Sequence, residues 1–364
     1  MKTLLKELAS GFLIGIANII PGVSGGTFLL ILGMYQRVMS AISGLNAAAI
    51  KAVLGHGAGI LFSSNRKENL KALGRLITEK DLFFLMRLGI GATAAIVILS
   101  DVMMYLLTKQ FAGTYAFFFG LIIVSTIMSL RLIERFTFGR ITMLILGIVA
   151  TVAVTIAVNP ADKIRTKSDH YREMFEKEQS YNNQETSADA TKSLYAGVYT
   201  PAEYASGTMA GALGVSAMVL PGISGSLVLI LVGQYYKVIN AISSLRTFKI
   251  DYFIFLTLFA IGMFIGVLLF ARLVTFVFKR FYNGTIAFLT GLMAGSLYTL
   301  WPFKSTIIMD QYVKSAEGIS MLKDVMVRTN ANILPKSAFE LVVVLIMCGA
   351  GAAIMVVLGR YNEK

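Results

Sequence analysis

The feature that most constrains this chain is a proline-glycine break in its first apolar stretch, Pro21-Gly22-Val23-Ser24-Gly25-Gly26, which returns two hundred positions later as Pro221-Gly222-Ile223-Ser224-Gly225-Ser226. The match runs without a gap to Leu45 and Leu245, with 12 identities in 25 positions, among them Leu29/Leu229, Gly33/Gly233, Tyr35/Tyr235, Val38/Val238 and Ala41-Ile42-Ser43 against Ala241-Ile242-Ser243. Proline lacks the N–H that a helix interior needs and its ring clashes with the preceding turn, so neither stretch continues as one helix. Breaks placed correspondingly in the two halves of an apolar chain point to the binding site of a membrane transporter.

Composition fixes the solvent. The chain is 56% hydrophobic and 15% charged, with a mean hydropathy of +0.72, and it holds several apolar windows of about 20 residues, the length that crosses a bilayer core. The expected fold is an all-α polytopic membrane protein. A broken pair over 8–20 and 24–43 precedes a polar, partly amphipathic stretch at 44–80 and three spans at 82–108, 113–133 and 140–158. A hydrophilic connector, 159–202, separates this first repeat (1–158) from the second (203–364). The second repeat has a broken pair at 203–220 and 224–244, spans at 251–278 and 283–303, a polar loop at 304–336 and a last span at 337–359. Thr200-Pro201-Ala202-Glu203 reads as a capping box that starts its broken pair.

The duplication extends beyond the loops: Gly113-Thr114-x-Ala116-Phe117-x-x-Gly120-Leu121 recurs as Gly284-Thr285-x-Ala287-Phe288-x-x-Gly291-Leu292. A broken pair that leaves and re-enters on one side, followed by three crossings, makes an odd total. The second half is then upside down relative to the first, an inverted-topology repeat. Each half is expected to be a broken or re-entrant pair plus three transmembrane helices. Lys and Arg divide almost evenly between the two sides, sixteen against fifteen, but long translocated segments count little, and the short loops and ends place both termini in the cytoplasm.

The net charge of +13 is carried mostly by loops between apolar segments, where it sets topology and meets anionic headgroups. No basic face is interleaved with base-stacking aromatics, so nucleic acid is not an expected partner. The single cysteine, Cys348, excludes an intrachain disulfide. His56 and His170 lie in polar segments without ligand-spaced neighbours, and neither a metal nor a cofactor is expected.

An anion in a membrane needs donors. A helix broken at midplane supplies N–H groups without intrahelical partners and the positive end of its dipole, glycines let the backbone approach, and serine adds a hydroxyl. In each loop Gly22 or Gly222 allows the turn, and Ser24 or Ser224, with Thr27 or Ser226, stands at the start of the next half-helix as a candidate donor. The bland alternative is a kink with small residues that permit close helix packing. Arg37 and Lys237 are repeat equivalents at the far base of each pair, placed either to receive an anionic headgroup at opposite leaflets or to anchor by snorkelling. Arg87, Asp101 and Arg272 are the charges most embedded in the spans, and Asp101 is the candidate for coupling to a proton or cation.

The segments Asn18-Ile19-Ile20-Pro21-Gly22-Val23-Ser24-Gly25-Gly26-Thr27 and Leu220-Pro221-Gly222-Ile223-Ser224-Gly225-Ser226 resemble the polyprenyl-phosphate transporter family (PopT type), over nearly the whole chain. The resemblance implies a flippase that returns undecaprenyl phosphate from the outer to the inner leaflet of the bacterial cytoplasmic membrane, recycling the carrier of peptidoglycan and other envelope glycans. It implies Gly22, Ser24, Gly25, Gly26 and Thr27 with Gly222, Ser224, Gly225 and Ser226 as the binding residues, with Ser226-Leu227 in the second copy where the first has Gly26-Thr27, so the loops need not contribute equally. Implied partners are undecaprenyl phosphate or a related prenyl phosphate, membrane lipids and a coupling proton or cation. Two other readings remain open. Undecaprenyl pyrophosphate phosphatases also have inverted repeats with Pro-Gly-x-Ser loops, but their second loop continues with Arg-Ser-Gly, and here Gly25-Gly26 and Gly225-Ser226 follow the serines, so no enzyme is expected. Half-helix ends of this kind also suit a small anion, carried or conducted.

Overall fold

The computed structural model describes residues 2–19, 24–62, 65–157, 199–243, 249–315 and 318–362, with Arg165, Ser168, Asp169 and Arg172; Pro21, Gly22, Val23, His170 and most of the connector lie outside the described residues. The first half runs through α1 (Lys2–Ile19), α2 (Gly25–Ile31), α3 (Tyr35–Ser43), α4 (Ala47–Phe62), α5 (Arg66–Glu79), α6 (Leu82–Lys109), α7 (Phe111–Arg131) and α8 (Phe138–Ala157). The second continues with α9 (Pro201–Val219), α10 (Gly225–Leu231), α11 (Tyr235–Ser243), α12 (Ile250–Arg280), α13 (Tyr282–Thr299), a hairpin of β1 (Lys304–Ser315) and β2 (Gly318–Asn332), and α14 (Ala338–Asn362).

Five helices, α6, α7, α8, α12 and α14, are long and apolar enough to cross a membrane, which makes this a multi-pass membrane protein. The expected span at 283–303 is formed as α13, which falls outside that set. Its Thr285, Thr290, Gly291, Gly295 and Ser296 are buried, and it packs against α7, α8 and α12. A helix sheathed by protein does not need the apolarity of one sheathed by lipid.

Three expectations are corrected. The limbs 24–43 and 224–244 are not single helices: each divides into two short ones, α2/α3 and α10/α11. Gly33 (φ +66°) and Gly233 (φ +69°) stop the first of each. Gly33 N donates to Leu30 O and Met34 N to Leu29 O, with the same pair of bonds at Gly233 and Gln234, the pattern of a helix ended by a left-handed glycine. The stretch 44–80 folds as α4 and α5, and α3 meets residues 48–60 of α4 at 72°. The polar loop at 304–336 is largely an antiparallel hairpin in which Lys304 pairs with Asn332 and Ser315 with Gly318. The capping box at Thr200 and Glu203 is present, with Pro201 opening α9.

The helix pairing has a repeating plan. Within each half the first helix lies on the first long one, α1 on α6 and α9 on α12; the other pairs cross between halves, α7 with α14 and α13 with α8. The second repeated motif explains the crossing pairs. A Cβ on Gly120 would stand 1.9 Å from Cys348 O, and one on Gly291 would stand 2.1 Å from Leu144 O. These glycines bring the partner backbones into contact, which is how helices associate where lipid supplies no hydrophobic drive between them. Ile14, Phe28, Tyr35, Met39, Ile122, Leu292 and Met293 belong to the central core, which both halves build.

Candidate functional site

Ser24 and Ser224 stand in extended conformation immediately before α2 and α10, and neither hydroxyl caps its own helix. The first loop uses its hydroxyls to hold the second. Ser24 Oγ donates to Leu220 O at 2.7 Å, and Gly222 N donates to Thr27 Oγ1 at 3.0 Å. Glycine is required where the loops touch. A Cβ on Gly26 would lie 2.0 Å from Val219 O, and Gly222, at φ +76°, has Leu292 O only 2.5 Å from where a Cβ would be. Close packing, the bland alternative, is thus part of what these residues do.

Beside this junction lies a cavity of about 390 Å³ whose polar wall is Asn18, Ser24, Ser224, Gly225 and Ser226. Ser224 Oγ and Ser226 Oγ are 2.9 Å apart, and Asn18 Oδ1 accepts from Gly25 N at 3.0 Å, so the part of Asn18 that can still donate is its Nδ2. The remaining wall is apolar, with Met218 from α9, Leu229 from α10 and Phe259 and Met263 from α12. Among the described residues, no charged side chain lines the cavity. Hydroxyls, one carboxamide and the first N–H groups of α10 make a neutral donor set, able to accept an anion and also to release it.

Of the expected residues, Ser24, Ser224, Gly225 and Ser226 come together here; Gly25, Gly26 and Thr27 lie just behind, and Gly22 is outside the described residues. Arg37 and Lys237 do not line the cavity. Arg37 bonds both oxygens of Asp81 at 2.6 and 2.8 Å, reaches Glu7 at 3.0 Å and covers the Phe84 ring at 3.8 Å. Glu7, only 2% exposed, also takes Arg87 at 2.8 Å. Lys237 binds Glu203 at 2.8 Å. Asp101 and Arg272 are exposed on the surfaces of α6 and α12. His56 bonds Asn69, and no cluster of metal-ligating side chains occurs among the described residues.

Sequence reasoning missed Asn18 and Glu7. A signal for Glu7 existed, because Glu7 and Glu203 each open a broken pair and each partners the repeated base, Arg37 or Lys237.

Comparison with known proteins decides the family. A family model described as undecaprenyl phosphate translocase-like matches residues 14–321, which include both loops and all of α2 to α13. The chain belongs to the undecaprenyl phosphate translocase-like family. Its relatives include a polyprenyl-phosphate transporter of Vibrio cholerae, 28% identical over 364 residues that cover 100% of this chain and 97% of the relative. A polyprenyl-phosphate transporter of Staphylococcus aureus is 26% identical over 310 residues, 84% of this chain and 89% of that one. No solved structure matches. Like its family, the translocase-like chain is a transporter rather than an enzyme.

Proposed function

We propose that this protein transports undecaprenyl phosphate, or a closely related prenyl phosphate, from the outer to the inner leaflet of the bacterial cytoplasmic membrane, with the phosphate held in the cavity beside the two loops. The observation that carries the reading is the joining of both breaks, through Ser24–Leu220 and Thr27–Gly222, next to a cavity with a polar donor wall and an apolar opposite wall. A prenyl tail can stay in lipid while only the phosphate needs polar company, and a cavity of this mixed character matches that division.

The two halves are inverted in this reading, with both termini cytoplasmic, so that the breaks meet near midplane. The matching pairs α1–α6 and α9–α12, and the crossed pairs α7–α14 and α13–α8, support a two-fold relation between halves. Inward movement of a phosphate opposes an inside-negative potential by about 2.3 kcal/mol per charge per 100 mV. A proton or cation, or consumption of the carrier on the inner side, supplies the drive. Asp101, exposed on α6, stays a candidate for that coupling only through its position in a span.

Native mass spectrometry of the purified protein tests the reading. Undecaprenyl phosphate should remain bound in preference to phosphatidylglycerol and be weakened by Ser224→Ala with Ser226→Ala. Equal retention of all lipids, unaffected by these substitutions, would instead place the small-anion reading first.

A further inference from the structure

A second cavity, of about 580 Å³, lies at the base of the hairpin, where the α6–α7 junction, β1, β2 and the start of α14 converge. Its lining carries four basic side chains, Lys109, Lys304, Arg328 and Lys336, against one carboxylate, Glu340. Glu340 is occupied with its own helix: its Oε2 accepts from Lys336 N at 3.2 Å, while its N–H donates to Ser337 Oγ at 3.2 Å. Lys304 is occupied too, donating to Tyr298 O at 3.1 Å and to Asn332 Oδ1. The other three cations are not: Lys109, Arg328 and Lys336 form no ion pair with a described residue. Arg328 sits over Phe111, its Cζ 4.2 Å from the ring centroid, and no hydrogen bond from its guanidinium to a described residue competes for its donors.

The rim is of opposite character. Leu334 and Phe339 line the same cavity and are 78% and 77% exposed, and Phe339 stands in the first turn of α14, a helix that crosses the apolar layer. Large apolar side chains so exposed at the end of a span lie against lipid. Basic groups within and lipid-facing apolar groups at the mouth describe a site for an anionic amphiphile at the membrane surface.

We propose that this cavity binds a lipid phosphate monoester at the membrane face opposite the termini, with Arg328, Lys109 and Lys336 on the phosphate and Leu334 and Phe339 against the start of the tail. It is separate from the neutral cavity between the breaks, and it rests on the transport reading only in making a prenyl monophosphate the natural occupant. A cationic surface site with a neutral inner one gives a substrate two stations: charge captures it at the interface, and uncharged donors hold it where release must be easy.

The test counts bound farnesyl phosphate on the full-length protein by native mass spectrometry, with inorganic phosphate and phosphatidylglycerol as competitors. Wild type should retain two molecules. Arg328→Gln with Lys336→Gln should remove one or weaken it by about tenfold or more, the effect expected for lost charge-assisted bonds. Ser224→Ala with Ser226→Ala should affect the other, so failure at one site is distinguishable from failure at the other. Lys336→Gln alone, at an exposed side chain outside the packing, should weaken the same molecule without altering thermal unfolding, and Arg328→Lys should restore part of the binding. Two molecules retained undiminished in the Arg328/Lys336 variant would overturn the proposal. Displacement by phosphatidylglycerol as effective as by farnesyl phosphate, or by inorganic phosphate at equal concentration, would overturn the assignment to a lipid monoester.

Discussion

The two broken helix pairs match in sequence and differ in employment. Ser24 is 3% exposed and donates across to Leu220 O, while its counterpart Ser224 bonds Ser226 on the wall of the cavity. At the bases, Arg37 joins Glu7, Asp81 and, through Glu7, Arg87, whereas Lys237 has Glu203. The first pair clasps the second, and in the proposed transport reading the second supplies most of the hydroxyls of the cavity wall. Duplication supplied two copies of one sequence motif, and the residues around each copy decided which partner its first serine meets.

The sharpest way to break this comparison is at the bases. Glu7→Gln leaves Arg37 and Arg87 without the buried carboxylate between them and should cost about 3 kcal/mol, near the low end for an opened buried pair because both guanidiniums keep access to water. Glu203→Gln opens a pair with both ends partly open to solvent, 37% and 33% exposed, and should cost only about 0.2–1 kcal/mol. Thermal unfolding of both variants in one detergent checks the difference, and equal losses would erase the asymmetry. Gly26→Ala comes next. Its Cβ would meet the Val219 carbonyl, backbone that cannot turn aside, so separation of the loops should cost about 1–3 kcal/mol and abolish prenyl phosphate binding. Gly33→Ala, with nothing within 4 Å, should cost about 1 kcal/mol through its positive φ alone and keep binding.

The serines sharpen the comparison further. Ser24→Ala should lower stability by about 1 kcal/mol, because Leu220 O loses its donor. Ser224→Ala should leave unfolding nearly unchanged and weaken prenyl phosphate about tenfold, as expected for one hydrogen bond to a charged group. Swapped outcomes would exchange the roles of clasp and ligand.

A separate effect concerns pH at the hairpin base. Burial pushes the Lys304 ammonium down to about 8 from its ordinary 10.5. The unfolded chain therefore holds more protons than the folded one between these values, and stability should rise with pH across that window. The difference in unfolding midpoint between wild type and Lys304→Met should grow from pH 8 to 10.5 in favour of the wild type, and a flat difference would remove Lys304 as its source.

Much of this protein is fixed by local physics and was legible directly. Apolar runs such as 82–108 and 251–278 have no stable place but a bilayer, and they fold as α6 and α12. Proline and glycine at 221–222 end α9 because one lacks an N–H and the other accepts a positive φ, and Thr200 with Glu203 starts it through bonds three residues apart. The repeated Gly33 and Gly233 carried an equally local stop signal that a reading of hydropathy passed over, since both flanking segments are apolar. The hairpin was hidden for a related reason: charges scattered over 304–336 look like a loop, while strand pairing depends on partners more than 20 residues away at its base.

The sequence by itself determined the membrane as solvent, the position of both breaks and the residue types placed there. Only the tertiary structure decided what those residues touch. Ser24 meets Leu220 across 196 positions and Gly222 meets Thr27 across 195, and a hydroxyl can donate equally well to a carbonyl or to a phosphate. Arg37 likewise carries the same charge whether it faces a headgroup or Glu7. Side-chain chemistry sets what a group is able to bind, and the packing of distant segments chooses which partner arrives.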